Sequence, residues 1–395
     1  MLKEVVIVGA ARTAIGDYLG SLKDVSAIDL GITAVKGALS EANLAPEQMQ
    51  EVVCGTIYKA GLKGNPGRQI QLHTGMPPEG YACTIDQQCG SAMRAFQILS
   101  HQIMLGNTHA GVAVGIESMS NAAYILPKAR AGYRMGNTEL LDSMLHDGLI
   151  DAIENYHMGV TAENLAEKYQ ISRQEQDELA CLSHYKAIQA IDSGKFKDEI
   201  IPVIIKSKKG DMQFDTDEHP RRDISIDKLS VLKPAFKKDG TVTAGNASGV
   251  NDGAAALILT SKERAKEYGL KPLAKVVATA NYGVLPKMMG IGPAYAIPTV
   301  LEMAGLKLSD IGYFEINEAF AAQFIAVNRE LKLDMEKVNV NGSGIALGHP
   351  VGCSGARIIV SLIYEMIRRG EKYGVASLCV GGGPALAVVL ENMQL

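Results

Sequence analysis

Four short segments of this chain carry residue types that can act together as nucleophile, base and oxyanion stabiliser. Cys89 lies in QQCGSA, His349 in GHPVGCSGAR and Cys379 in CVGGG, while Asn317 begins NEAF. A cysteine thiolate is a nucleophile, histidine is a base near neutral pH, and glycine exposes backbone N–H groups that stabilise an oxyanion. Because the segments are far apart in the sequence, they form one site only if folding brings them together.

Each of these residues also has an ordinary structural explanation. A free cysteine is commonly a small core residue, and a lone histidine is more often a structural hydrogen-bonding partner than a catalyst. Gly381 belongs to a glycine run that is also typical of a turn, and Asn317 is also a suitable helix cap. In favour of catalysis, Cys89 lies at the start of a helical pattern, where the helix dipole is expected to favour the thiolate.

The elements that position these residues alternate along the chain. Apolar runs typical of buried strands, such as EVVIVGA, EVVCGTI and AGVAVGI, alternate with helical patterns at 26–42 and 91–105. This alternation predicts α/β layers around a buried sheet. We expect Asn317 to follow a strand directly. We expect His349 on extended backbone before a helix, because a residue that precedes proline disfavours the α region.

The order of these elements repeats at an offset of about 260 residues. A strand, the Cys89 segment and a strand near 110 correspond to a strand near 313, the His349 segment and a strand near 374. Duplication of one half explains this repeat. The alternation that all α/β proteins share is the other explanation.

Residues 121–247 differ in composition from the rest of the chain, with charged helical patterns and polar connections. This difference predicts an inserted block. Ser172 and Glu175 have the spacing of a capping box and predict a helix that runs toward Gly194. The polar segment around Gly210 predicts a hairpin turn.

Composition excludes several functional classes. The 395 residues carry a formal net charge of -4, which argues against a nucleic-acid partner. The sequence lacks an apolar run of about 18 residues, so we expect no membrane span. The six cysteines form no C-x-x-C pair, which argues against zinc and against a disulfide framework. With no recognisable export or peroxisomal signal, we expect a cytoplasmic protein.

The four segments, in the chain order QQCGSA, NEAFAAQF, GHPVGCSGAR and CVGGGPALAVVL, together resemble the thiolase family along essentially the whole chain. NYHMGVTAENLAEKY and GTVTAGNASGVNDGAAAL are similar to its short-chain members, the acetyl-CoA acetyltransferases. The resemblance implies an α/β thiolase fold: two duplicated βαβαβαββ-type halves form a layered α-β-α-β-α core with an inserted α+β loop domain. It implies one half at 1–120 plus 248–271, the insert at 121–247 and the second half at 272–395.

The resemblance implies a reversible Claisen condensation of two acetyl-CoA molecules to acetoacetyl-CoA and coenzyme A, through an acetyl-cysteine intermediate. Cys89, activated by His349, would be the nucleophile, and Cys379 would donate and accept protons. His349 with a water held by Asn317 would form one oxyanion hole, and the N–H groups of Cys89 and Gly381 the other.

The resemblance also implies a coenzyme A site. Arg221 would serve the nucleotide end, although Arg222 beside it is an alternative, and two methionines would line the acyl pocket. The implied binding residues are Leu149, His157, Met158, Arg221, Phe236, Ala244, Ser248, Met289, Ala319 and Phe320. No resident cofactor or metal is expected, and the family implies a homotetramer. Cys353 stands where many relatives carry alanine, and we assign it no role.

Two alternatives remain open. A thiolase for longer 3-ketoacyl-CoA substrates would differ in pocket volume, and the motif His157-Met158-Gly159 together with Met289 favours the short chain. A non-catalytic acyl-CoA or lipid-binding protein of the same fold would have lost reactive residues. Cys89 and the other three chemical positions are all retained.

Overall fold

The computed structural model describes residues 2–208 and 210–395. The strands, in chain order, are β1 Val5–Arg12, β2 Gly16–Asp17, β3 Glu51–Gly55, β4 Tyr81–Ile85, β5 Ala110–Ser118, β6 Tyr124–Ile125, β7 Leu141–Asp142, β8 Val203–Ile205, β9 Met212–Phe214, β10 Asn251–Ser261, β11 Ala274–Gly283, β12 Tyr313–Ile316, β13 Tyr373–Cys379 and β14 Pro384–Asn392. The helices are α1 Ala27–Glu41, α2 Pro66–His73, α3 Ser91–Leu105, α4 Met158–Lys168, α5 Arg173–Asp192, α6 Ile226–Ser230, α7 Lys262–Glu267, α8 Pro293–Ala304, α9 Ala321–Leu331, α10 Gly344–Leu347 and α11 Ser354–Arg369. Among the described residues, no helix combines the length and the apolar character that a membrane crossing requires.

The main sheet contains the same strand arrangement twice. Its order is β12-β13-β14-β11-β1-β10-β5-β3-β4, with β2 beside β10. The neighbours β3 and β5 are parallel, as are β12 and β13, while β10 and β14 are each antiparallel to their neighbours. In the first half, β4 pairs parallel with β3. The corresponding position in the second half, beside β12, is occupied by an isolated parallel bridge between Phe314 and Val338. The two halves meet where β1 pairs with β11 through two residue pairs.

Burial on both faces explains why the strands read as continuous apolar runs. Every residue of β1, β5 and β10 is buried. One face of the first half packs on α1, and one face of the second half packs on α8 and α9. Helices α3 and α11 lie between the two inner faces, where their apolar stripes meet. The order of layers is therefore α-β-α-β-α, as the resemblance to the thiolase family implied.

The central helices place the chemical segments at the same end of the core. Phe96, Leu99 and Ile103 of α3 pack in one cluster with Ile359 and Ile363 of α11. Glycine makes this approach possible: a Cβ on Gly355 would lie 2.4 Å from the backbone nitrogen of Met93. The residues just before the two helices, which include Cys89 and His349, consequently lie near each other.

The block between β5 and β10 contains α4, α5, α6 and the short strands β6–β9. The capping box at Ser172 and Glu175 begins α5, as predicted. The predicted hairpin is also present, since β8 and β9 pair antiparallel and Gly210 has a φ of +114°. Lys209, which belongs to the polar segment of this prediction, lies outside the described residues. The bounds predicted for the three domains stay a prediction.

Candidate active site

Cys89 lies in a tight turn between β4 and α3. Gln88, the preceding residue, has a φ of +49°, in the left-handed region that glycine usually occupies. Ser91 closes the turn: its hydroxyl accepts from the Gln87 N–H at 2.9 Å and donates to the Gln88 carbonyl at 2.7 Å. The turn therefore holds the thiol of Cys89 in a fixed direction at the start of α3.

The sulfur of Cys89 is a thiol at neutral pH, contrary to the expectation from the helix dipole. Burial raises the pKa of Cys89 to about 11, although the N–H groups of Gly381 and of Cys89 itself point at the sulfur and lower it. Burial away from water destabilises the thiolate by more than these two N–H dipoles stabilise it. A thiol of this kind needs a neighbouring base before it can attack, and the two N–H groups beside the sulfur are donors of the type that stabilises an oxyanion.

His349 is held by two hydrogen bonds on the loop before α11. Its backbone N–H donates to Asn251 Oδ1 at 2.9 Å, and its Nδ1 lies 2.6 Å from the Ser354 hydroxyl. That hydroxyl donates to the Pro350 carbonyl at 3.0 Å, so it accepts from Nδ1–H. The neutral imidazole therefore keeps Nε2 unprotonated. Burial, reinforced by the charge of Arg357, lowers the pKa of His349 to about 3, which keeps the ring neutral.

Asn317 follows the last residue of β12 and lies beside the histidine, as predicted. Its amide nitrogen is 3.5 Å from both ring nitrogens of His349. Its Oδ1 is buried and accepts no hydrogen bond from the described residues. A buried carbonyl oxygen of this kind is the acceptor that a bound water or a substrate donor would satisfy.

Cys379 ends β13 and is fully buried. Burial raises its pKa, and the nearby charge of Cys89 raises it further, which places the two sulfur atoms in one electrostatic environment. Gly381 follows in the turn that leads to β14. A Cβ on Gly381 would lie 2.6 Å from the terminal methyl group of Met158, so this methionine closes the space beside the two sulfur atoms.

A cavity of about 530 Å³ reaches this site from the surface. Of the five predicted catalytic residues, His349 lines it, and Cys89, Asn317, Cys379 and Gly381 do not. His349 and Val351 line it, and Cys89 packs in a small apolar cluster with Val351, Met119 and Leu149, which also lie on its wall. Eight of the predicted site residues line this cavity: Leu149, His157, Arg221, Phe236, Ala244, Ser248, Phe320 and His349. The wall is mostly apolar, which suits a long flexible ligand with few polar groups.

Three predicted binding residues do not line the cavity. Met158, Met289 and Ala319 lie behind its wall in the apolar cluster that also contains Cys379 and Phe320. Met158 and Met289 are therefore placed to limit the space around the acyl group. The Ala319 carbonyl accepts from the Ser248 N–H at 2.9 Å and fixes the wall from behind.

Aromatic contacts stiffen the middle of the cavity. The rings of His157 and Phe236 stack at 4.5 Å, and Phe236 meets Phe320 edge to face at 6.0 Å. Burial lowers the pKa of His157, so its ring is neutral as well. A Cβ on Gly159 would lie 2.3 Å from the Phe236 ring, which explains the small residue after Met158.

The two adjacent arginines, Arg221 and Arg222, differ in their position relative to the cavity. Arg221 lines it, and its backbone N–H donates to Nδ1 of the buried His184 at 3.1 Å. Arg222 instead forms a two-bond ion pair with Asp192, at 2.6 and 3.0 Å. Arg221 is consequently the arginine that faces a ligand in the cavity.

Sequence reasoning missed Glu117, which joins the loops on either side of the site. Its buried carboxylate accepts from the Thr56 hydroxyl and from the N–H groups of Ile57, Tyr58 and Gly352, at 2.7 to 3.3 Å. Burial raises its pKa to about 7 despite these bonds. An acidic residue inside the apolar run AGVAVGIES is the signal that could have identified it.

The four chemical groups and the cavity can acylate a thiol and move protons near it. No group of three metal-ligating side chains is found in residues 2–208 and 210–395. All six cysteines, which the structure describes, are free thiols, and Cys353 is buried in the apolar cluster against which Cys89 also packs.

Comparison with known proteins identifies the family. Residues 5–263 match the family described as thiolase, N-terminal domain, and residues 270–392 match thiolase, C-terminal domain. An acetyl-CoA acetyltransferase of Syntrophomonas wolfei subsp. wolfei is 51% identical over 397 residues, covering 100% of both chains. The solved structure of an acetyl-CoA acetyltransferase from Syntrophomonas wolfei has a TM-score of 0.98 at 50% identity, covering 99% of this chain and 100% of that one. Human mitochondrial 3-ketoacyl-CoA thiolase has a TM-score of 0.96 at 42% identity, covering 99% of each chain. These likenesses confirm the predicted fold, and the chain belongs to the thiolase family.

Proposed function

We propose that this protein is an acetyl-CoA C-acetyltransferase that condenses two acetyl-CoA molecules to acetoacetyl-CoA and coenzyme A, and catalyses the reverse cleavage. The observation that carries the proposal is that the two halves of the fold bring four groups together: Cys89, Asn317, His349 and Cys379. His349 lines the cavity, and Cys89 packs against Val351 on the cavity wall. The names of the full-length relatives support the same activity.

In the first step the sulfur of Cys89 attacks the acetyl thioester, and Nε2 of His349 takes the thiol proton. A carbon–sulfur bond to Cys89 forms as the bond to coenzyme A breaks. The departing coenzyme A thiolate receives a proton from Cys379. The N–H groups of Cys89 and Gly381 stabilise the oxyanion of the tetrahedral intermediate, and one such donor is typically worth about 3 to 4 kcal/mol.

In the second step Cys379, now a thiolate, removes a methyl proton from another acetyl-CoA. The charge that develops on the thioester oxygen is stabilised by His349, which carries the proton taken from Cys89, and by a water held on Asn317 Oδ1. The carbanion attacks the acetyl group on Cys89 and forms acetoacetyl-CoA. The Cys89 sulfur then recovers its proton, which completes the cycle with no external acid or base.

The cavity has the chemistry that a coenzyme A thioester requires. Arg221 at its mouth suits the phosphates of the nucleotide, and the apolar wall formed by Leu149, Phe236 and Phe320 suits the pantetheine chain. Ser248 offers a polar contact along this path. Coenzyme A thioesters are substrates in this proposal, and no resident cofactor is required.

Mass spectrometry after brief incubation with acetyl-CoA tests the proposal. We expect an increase of about 42 Da, the mass of one acetyl group replacing a hydrogen. Cys83 and Cys89 fall in the same tryptic peptide, because trypsin cuts after Arg68 and Arg94, so fragmentation must locate the adduct. Cys89→Ala should abolish the adduct, and Cys83→Ala is the matched control that should keep it. Condensation that continues in Cys89→Ala would refute the proposal.

A second candidate function is thiolysis of longer 3-ketoacyl-CoA substrates, which the likeness to human mitochondrial 3-ketoacyl-CoA thiolase favours. Met158 and Met289 argue for a small acyl group, because both lie in the cluster around Cys379. Turnover of acetoacetyl-CoA and of 3-ketohexadecanoyl-CoA should be compared at equal concentration. Faster cleavage of the longer substrate would select the second candidate.

We also propose a homotetramer in the cytoplasm. The edge strand β4 offers unpaired backbone groups to a second copy, and Tyr124, Met135 and Leu140 of the inserted block are 62 to 99% exposed. Six free thiols suit a reducing compartment. Light scattering coupled to size-exclusion chromatography measures the assembly, and a mass equal to one chain would refute the tetramer.

A further inference from the structure

The segment Met144–Asp151, hereafter the bridging segment, contacts the loops that carry the catalytic groups of both halves. It begins as a π-helix, Met144–Leu149, a rare conformation that is frequent at functional sites. The Tyr58 hydroxyl donates to the Met144 carbonyl at 3.1 Å, and the Gln88 side-chain amide donates to the Asp147 carbonyl at 3.0 Å. The turn that presents Cys89 is thus tied to the bridging segment through the residue immediately before it.

The other end of the bridging segment is tied to the second half. Asp151 is fully buried, and its two carboxylate oxygens have different partners. Oδ1 accepts from the N–H groups of Ile153 and Glu154 at 2.9 and 2.8 Å, which caps the local turn. Oδ2 accepts from the N–H of Gly382 at 3.1 Å. A local cap needs only Oδ1, so Oδ2 has a separate, long-range contact.

The loop that receives this contact needs an external anchor. Gly382 and Gly383 have φ values of +85° and +104°, and a glycine run has little conformational preference of its own. Within the loop, the Gly383 N–H donates to the Val380 carbonyl at 3.1 Å, and the Gly381 N–H points at the sulfur of Cys89. Outside the loop, the Gly383 carbonyl accepts from the Val284 N–H at 2.9 Å, and Met158 packs beside Gly381. The bond from Gly382 to Asp151 is the hydrogen bond that ties the loop to the bridging segment.

We propose that Asp151 is a positioning residue that holds the Gly381 N–H where the oxyanion forms, and that the bridging segment sets the separation between the turn of Cys89 and the loop of Gly381. The inference rests on the proposed function, in which Gly381 supplies an oxyanion donor. Preorganised donors act only while their geometry is fixed, and a displacement of about 1 Å can cost 10²-fold in rate. A bridge to both loops supplies that geometry.

Asp151→Asn separates the long-range contact from the local cap. Asparagine keeps Oδ1 as an acceptor for Ile153 and Glu154, while its NH₂ group faces the Gly382 N–H and replaces a bond with a donor–donor contact. Asp142→Asn is the matched control, because Asp142 Oδ1 caps the start of the same segment by accepting from the Met144 N–H at 2.9 Å. Both variants remove one negative charge, and only the first alters a contact with a catalytic loop.

The measurement is the rate of Cys89 acetylation by acetyl-CoA in a rapid-quench mass-spectrometric assay, together with kcat and KM. We expect Asp151→Asn to acetylate roughly 100-fold more slowly, with KM changed less than about twofold and Asp142→Asn equal to wild type. Equal rates in Asp151→Asn and wild type overturn the inference. So does an equal loss in both variants, or a rise in KM with kcat unchanged.

A second variant covers the case in which Asp151→Asn fails to fold, as judged by thermal unfolding. Gln88→Leu removes the bond to Asp147, keeps an apolar side chain beside Gly381 and should slow the same step about tenfold, since it loosens the other end of the bridge. Acetylation of Gln88→Leu at the wild-type rate would then overturn the inference. If wild-type protein itself gains no acetyl group on Cys89, the proposed function fails, which is a different outcome from normal acetylation in the variants.

Discussion

Ser354→Ala tests whether a single hydroxyl keeps Nε2 of His349 ready to accept a proton. In the native protein this hydroxyl accepts from Nδ1–H at 2.6 Å and donates to the Pro350 carbonyl. Alanine leaves the buried Nδ1–H without an acceptor. It also removes the stabilisation of the imidazolium that forms when His349 takes the proton of Cys89.

The magnitude follows from the charge on the ring. A hydrogen bond to a charged group contributes about 1.5 to 3 kcal/mol, and 1.4 kcal/mol corresponds to a factor of ten. We therefore expect kcat to fall by roughly 10- to 100-fold. Ser354 does not line the cavity, so KM for acetyl-CoA should stay within about twofold of wild type.

The assay is steady-state cleavage of acetoacetyl-CoA by coenzyme A, with Ser361→Ala as the matched control. Ser361 is a buried serine of the same helix, and its hydroxyl donates to Glu199 at 3.3 Å, away from the histidine. Ser361→Ala should keep kcat near wild type. Wild-type kcat in Ser354→Ala, or an equal loss in both variants, would refute the tautomer argument.

Three further predictions concern stability and specificity. Arg12→Met leaves the buried carboxylates of Glu199 and Asp217 without their 2.7 Å ion pairs. The free energy of unfolding, measured in urea, should therefore fall by about 3 to 5 kcal/mol. An unchanged free energy of unfolding would contradict this prediction. Burial lowers the pKa of His184 to about 3. Between pH 3 and 6.5 this histidine is therefore protonated in the unfolded chain but not in the folded protein, so the folded state loses stability as the pH falls. Lowering the pH from 7 to 4.5 should cost roughly 2.5 kcal/mol from this group, and His184→Gln should show a correspondingly smaller loss in urea unfolding. Met158→Ala opens space beside Gly381, so cleavage of longer 3-ketoacyl-CoA substrates should rise relative to acetoacetyl-CoA; an unchanged ratio in competition assays would contradict this.

Local patterns predicted most of the elements because their causes are local. The capping box at Ser172 begins α5, and the apolar runs became buried strands. The repeat at an offset of about 260 residues corresponds to two halves with the same strand order. His349 lies just before α11, as predicted, although the short helix α10 immediately upstream was not predicted.

The remaining features depend on contacts that no local pattern encodes. The sequence places Cys89 near a helix start, but its pKa is set by burial, which only the assembled core determines. The bond between Asp151 and Gly382 joins residues 231 positions apart. Gln88 adopts a positive φ without being glycine, because Ser91 and the bridging segment compensate for its strain.

The order of the catalytic residues along the polypeptide has a consequence for biosynthesis. Cys89 emerges from the ribosome early, whereas His349 and Cys379 follow some 260 residues or more later, and β14 must then pair with β11 and β13 to seat the glycine loop. A nascent chain therefore exposes its nucleophilic thiol without a partner base. In the proposed reaction Cys89 requires His349 and Cys379, so we expect incomplete translation products to show no thiolase activity.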